Sequence, residues 1–228
     1  MLVVARTDET TRNDESTRPR ATRRYDASHR RKQAESTRMG IVRAASELFV
    51  EKGWTGASMR EIAKRAGVSV ETVYASVGNK TELLKVALDI GVAGDDEPIP
   101  LGERPEFLAI GTAPDVEGAT AAAGHLLAGF YPRVAMLRRV LVQAAMADPD
   151  VVELREAEEG RERASWAEGI GLALGRPATD DEVATCAAMF GTETYLVLTQ
   201  VSGWSDERFG DWLGRALHDH LTDRRPDQ

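Results

Sequence analysis

The chain has 228 residues, 42% hydrophobic and 29% charged, with a formal net charge of −8; that length holds a sizeable core, or a small domain joined to a larger one. No apolar run approaches the roughly 20 residues of a membrane helix, and the opening MLVVARTDETTRNDE meets charge too early for a signal peptide, so the expectation is a cytoplasmic chain with no membrane partner. The net charge hides a split: residues 1–90 carry 17 Lys and Arg against 12 Asp and Glu, residues 91–228 carry 12 against 25, a basic module on an acidic body that suits a polyanion binder better than a uniformly acidic enzyme.

Residues 1–36 are nearly empty of large apolar side chains after Val4 and are expected to be a disordered, Arg-rich arm. From Thr37 the apolar residues Ile41, Val42, Ala45, Leu48 and Phe49 share one helical face. Gly53 then ends that helix and Trp54 folds back over its last turn. A second helix opens at Ser58 with Glu61 at capping-box spacing and closes at Gly67. Ser69 caps a third, short helix on which Val70, Val73 and Val77 face inward while Glu71, Thr72 and Ala75 face out. Asn79 and Glu82 repeat the capping pattern for a fourth helix, whose first turn contains Lys80, a cation opposing the helix dipole unless a phosphate lies nearby. Two short helices joined by a tight turn, with one packed and one open face on the second, are the requirements of a helix-turn-helix.

Residues 37 to about 90, with TGASMREIAKRAGVSVETVY at their centre, resemble the DNA-binding domain of the tetracycline-repressor (TetR) family of bacterial transcriptional regulators. The resemblance implies an all-α fold in which a helix-turn-helix domain (residues 37–84) precedes a helical ligand-binding and dimerisation domain (85–223), with a short tail at 224–228. It implies backbone contacts to double-stranded operator DNA at Ser58, Ser69, Thr72, Tyr74 and Lys80, with Arg60 beside them, and puts Val70, Glu71 and Thr72 near bases. Two residues depart from the family pattern: Val77 replaces a usual phenylalanine, and Glu71 stands where a small or polar residue is common.

The acidic body reads as helices at about 115–130, 133–146, 149–174, 180–202 and 206–221, punctuated by Pro132, Pro149, Gly175 and Gly203. Phe209, Trp212, Leu213, Ala216 and Leu217 form an apolar stripe on the last helix. On the helix before it, Val183, Ala187, Phe190, Val197 and Val201 lie near one line, with Met189, Leu196 and Leu198 off it. By the resemblance, Phe190, Val197, Val201, Phe209, Trp212, Leu213 and Leu217 are expected at a homodimer interface; the other reading is that both stripes close a monomer core. The family's small-molecule effector pocket is expected among His125, Leu126, Phe130, Met136, Val140, Met146, Trp166 and Ile170, an apolar set with a few polar handles.

No nucleophile motif and no H-E-x-x-H occurs, the glycines of GIGLALG have the wrong spacing for a dinucleotide, and His218 and His220 face nearly opposite ways on a helix. The expectation is therefore no enzyme, no cofactor and no metal. The single cysteine, Cys186, cannot form an internal disulfide and is expected to be a small buried side chain. The alternative function that this composition allows is a helical adaptor for protein partners, which would lack the steep salt dependence of a DNA reader.

Overall fold

The computed structural model describes residues 20–97 and 99–223, among which every regular element is a helix and none a strand. Two compact units divide between Ser36 and Thr37. In the first, the helix α1 (Arg20–Gly56) begins at Arg20, so residues 20–36 are helix where a disordered arm was expected. Its Arg, Ala, Lys, Gln and Glu are good helix formers, and Arg31 pairs with Glu35 four residues on at 2.9 Å. The expectations for residues 1–19 and for the tail at 224–228 fall outside the described residues.

In the second unit, the apolar stripe of α1 is buried, Ile41, Ala45 and Phe49 to 0% exposure. Gly53 adopts φ 69° and ψ −178°, a conformation that L side chains rarely reach. The resulting kink lays Trp54 against Phe49, ring centroids 5.8 Å apart. Then follow α2 (Met59–Ala66), α3 (Val70–Val77) and α4 (Lys80–Ala93), each opened by its predicted cap: Ser58 accepts from the Glu61 N–H, Ser69 from that of Thr72, Asn79 from that of Glu82. These helices share a core with one end of the body, where Leu137, Val140, Leu141 and Ala144 pack against them.

The body comprises α5 (Pro105–Gly111), α6 (Val116–Ala147), α7 (Val152–Leu174), α8 (Asp180–Phe190), α9 (Thr192–Leu196), a π turn (Val197–Val201) and α10 (Asp206–Thr222). Two expected boundaries moved. Pro132 was expected to separate two helices, yet α6 runs through it for 32 residues. Proline removes one intrahelical donor. Its side is solvent-exposed, and the neighbouring Arg133 guanidinium binds the Gly129 carbonyl and, across to α4, that of Gly91 at 2.7 Å. Conversely, the expected helix 180–202 breaks at Gly191, where a Cβ would stand 2.7 Å from the Ala187 carbonyl oxygen, and continues into the π turn.

The break and the wider turn change the helical register. Before the break Val183 and Phe190 are buried and Met189 is 50% exposed; after it Leu196 points inward while Val197 and Val201, no longer in line with Val183 and Phe190, are 51% and 80% exposed. The stripe on α10 also has a different destination from the one expected. Phe209, Leu213 and Leu217, with Phe190, are buried in the subunit's own core among Tyr131, Val134 and Trp166. They are corrected here from dimer contacts to core residues, because α10 lies along α6 and has only that apolar face to bury. Cys186 is fully buried in the same cluster.

Glu182, 1% exposed, is the buried acid of this region. Its carboxylate accepts from the Thr179 N–H at 2.8 Å, closing the cap of α8, and from Arg176 at 2.7 and 3.0 Å. Arg176 remains 44% exposed, so water can take over its charge when the carboxylate is lost. Glu182→Ala is therefore expected to lower the unfolding free energy by about 2 kcal/mol, the cap and one charge-assisted bond, measured by urea unfolding at neutral pH.

Candidate nucleic-acid interface and interior cavity

The short helices α2 and α3 meet at Gly67, whose φ of 70° and ψ of 29° let its own N–H and that of Val68 close back onto α2, both reaching the Ala63 carbonyl. Val73 and Val77 are buried and Val70 packs half-buried on the same core, which anchors α3 by its inner face. The outer face remains open: Glu71, Tyr74 and Ala75 are exposed and Thr72 is half-exposed. Tyr74, at 51%, is the largest apolar surface there. The Ser69 and Thr72 hydroxyls stand 3.0 Å apart at the N-terminus of α3. Ser58 and Arg60 are exposed at the start of α2, Ser69 to Thr72 stand at the start of α3, and Tyr74 lies one turn further along it.

Glu71 has an explanation that sequence alone did not supply. Its carboxylate accepts from its own backbone N–H and from Ser69, which together hold it below the usual carboxylate range. It serves as a negative charge at the positive end of α3. Glu61 does the same for α2: Lys52 at 2.7 Å and the Ser58 cap hold it at about 2.

Lys80 is engaged within the protein. Its ammonium donates to the Trp54 carbonyl and sits 4.2 Å from the centre of the Trp54 ring. Partial burial lowers its pKa, with Asp148 opposing that shift. The Trp54 indole N–H in turn donates to Asp148 at 3.1 Å. Asp148 caps the end of α6, so this cluster ties the opening of α4 to the body. Arg38 makes a second tie that sequence reasoning missed. It donates to the Ser76 carbonyl near the end of α3 at 2.8 Å and to Asp96, in the loop after α4, at 2.9 Å. An arginine in the middle of a long helix has no local pattern to mark it; only the partners 38 and 58 residues away do.

A cavity of about 720 Å³ opens between α4, α5, α6 and α7. Phe130, Trp166 and Ile170 line it as expected, together with Leu126. His125 is exposed, Met136 is half-buried away from the wall, and Val140 packs under the helix-turn-helix core; these three are corrected to positions outside the cavity. Met146 is 85% exposed. Phe107 and Ile110 of α5, a helix absent from the sequence reading, and Tyr131 complete the apolar wall. Tyr131 is fully buried, its hydroxyl bound to the Phe190 carbonyl at 2.9 Å, and burial raises its pKa.

Polar groups gather at the rim. Arg104 holds Asp95 by two bonds of 2.8 and 2.9 Å and keeps that carboxyl at about 2. Arg138 pairs with Glu162, and Arg161 with Glu158 and Asp89. Among the described residues, no cluster of His, Cys, Asp and Glu suited to a metal occurs, and no helix is long and apolar enough to cross a membrane.

A chain whose described elements are all helices, the first four of them forming a capped helix-turn-helix with an open face on α3, is by architecture a helix-turn-helix protein. The family profile for bacterial regulatory proteins of the TetR family matches residues 41–87. The HTH-type transcriptional regulator SrpR of Pseudomonas putida is 36% identical over 75 residues, and TtgW, an uncharacterised HTH-type transcriptional regulator of the same species, 35% over 75 residues. Each match covers 33% of this chain, and the aligned stretch spans 33% of SrpR and 53% of TtgW. A TetR-family transcriptional regulator of Mesorhizobium loti MAFF303099 superposes with a TM-score of 0.53 at 25% identity, over 82% of this chain and 94% of that one. Residues 41–87 thus match the TetR-family helix-turn-helix domain, and the fold of the described residues is similar to that of a TetR-family regulator.

Proposed function

We propose that this protein is a DNA-binding transcriptional regulator, acting as a repressor, that reads a pseudo-palindromic operator as a homodimer and responds to a small molecule held in the interior cavity. The observation that carries the reading is the open face of α3: a helix fixed by caps and by two buried valines, presenting Thr72, Tyr74 and Ala75 to solvent at a width suited to a major groove. Ser58, Arg60, Ser69 and Tyr74 fit backbone contacts beside it. Lys80 joins them only after leaving Trp54.

The dimer reading rests on the apolar outer surface of α8 and the π turn. Met189, Val197 and Val201, with the exposed Ala184 and Ala188, make a row that a second copy would cover. Of the residues first expected at the interface, Val197 and Val201 retain that role, and the half-buried Trp212 borders the core. For coupling, Arg38 offers a direct path, since it holds the end of α3 and the rim of the cavity at once. A ligand that favours one position of Asp96 over another would shift the placement of α3, provided its affinity for the two states differs.

The test is selection of bound duplexes from a random pool by the purified protein, followed by affinity measurements across salt concentrations. An inverted repeat is expected, with a log–log salt slope of about −0.9 per neutralised phosphate. Tyr74→Phe is expected to weaken all duplexes alike, and Thr72→Ala to change base preference at one position of each half-site. Salt-independent association without sequence enrichment would point instead to a helical adaptor.

A further inference from the structure

The cavity wall carries three features that together select for charge. Its interior is apolar and aromatic, with the rings of Phe107, Phe130, Tyr131 and Trp166 among its lining. Its charged lining comprises four arginines and seven carboxylates, and each of the four arginines is already engaged by a carboxylate. Glu168, a solvent-exposed residue of the lining, forms no ion pair or hydrogen bond among the described residues. It stands on α7 beside the segment 101–103, where a Cβ on Gly102 would lie 3.1 Å from both of its carboxylate oxygens, next to Gly169, whose own Cβ would be 4.0 Å from Phe107 and Ile110.

An anion entering here would face a net negative rim and would have to break an existing ion pair to gain an arginine. A neutral apolar molecule would gain burial alone. An organic cation gains burial against the aromatic and aliphatic wall and the field of the carboxylates. We propose that the cavity takes an organic monocation with a bulky aromatic or aliphatic body, its charge balanced by Glu168 at the rim. This inference rests on reading the cavity as the effector site.

The test compares tetraphenylphosphonium with tetraphenylborate, which have nearly the same shape and opposite charge, and with neutral triphenylphosphine oxide, by calorimetry on the intact protein. The phosphonium is expected to bind about tenfold or more tightly than either of the others. Glu168→Gln is expected to cut phosphonium affinity about threefold or more and to leave the phosphine oxide unchanged. Ala123→Phe, which projects a ring from the cavity wall, is expected to abolish binding of a body as bulky as four phenyl groups while circular dichroism stays helical. Equal or tighter binding of the borate or the phosphine oxide would overturn the cation preference and leave the effector-site reading standing. Phosphonium binding that survives Ala123→Phe, or no binding of any of the three, would overturn both.

Discussion

Gly124→Ala is expected to lower the unfolding free energy by about 3 kcal/mol, the upper range for overpacking a tight interior, and to lower the melting temperature by about 6–12 °C for a chain of this size. At Gly124 the backbones of α6 and α10 touch. A Cβ there would stand 2.4 Å from the Gly210 carbonyl oxygen and 2.7 Å from the Gly214 nitrogen. These are main-chain atoms of a regular helix, which cannot rotate aside as a side chain would, so α10 must move as a body. The opposing glycines repeat the constraint: a Cβ on Gly210 would meet the Ala128 Cβ at 2.9 Å, and one on Gly214 the Ala121 Cα at 3.0 Å. Moving α10 would loosen Phe209, Leu213 and Leu217 from the core they fill. Gly129→Ala on the same helix is the control. Nothing lies within 4 Å of its added Cβ, so the better helix propensity of alanine should stabilise by up to about 1 kcal/mol. Thermal unfolding of the two variants at one protein concentration measures the contrast; equal melting temperatures would refute the close-packing argument.

Trp54→Ala is expected to be the largest single loss, about 3–5 kcal/mol by urea unfolding. The indole is 7% exposed, stacks on Phe49, lies beneath the Lys80 ammonium and donates to Asp148. Truncation opens a cavity in the helix-turn-helix core, strips Lys80 of its ring and leaves Asp148 without that donor. Trp54→Phe separates these contributions. It keeps most of the ring and loses the N–H, so about 1–2 kcal/mol is expected from the missing bond to a carboxylate. If the two variants were equally destabilised, the hydrogen bond to Asp148 rather than packing would be the keystone. If both were within a few tenths of a kcal/mol of the parent, Trp54 would not hold this junction.

The helix-turn-helix was legible because its determinants are local. Ser58, Ser69 and Asn79 cap helices within three residues of themselves, Gly67 reverses the chain through its own φ, and Val73 and Val77 follow one helical period. Such rules need no knowledge of the rest of the molecule. The interface and cavity residues were partly illegible because period does not say which neighbour covers an apolar stripe. Phe209, Leu213 and Leu217 obey the helical period equally well whether α6 or a second copy covers them, and the glycines that admit α6 lie 86 and 90 residues away from Gly124. Val140 and Met136 share a helix with Phe130, and only the packing of α4, α5 and α7 decides which of them borders the empty space.

By itself, then, the sequence determined the helical class, the caps and turn that build the helix-turn-helix, and the outward face of α3, all set by interactions within about four residues. The tertiary structure decided where long-range partners fall: that Lys80 turns toward Trp54, that Arg38 joins α3 to the cavity rim, and that Met189, Val197 and Val201 form the exposed apolar row. The physical reason is that the partners of Lys80 and Arg38 lie 26 to 58 residues away, beyond the reach of any local pattern. For Val197 and Val201 it lies in the break at Gly191 and the π turn, which change the register of the side chains after them and cannot be read from helical periodicity.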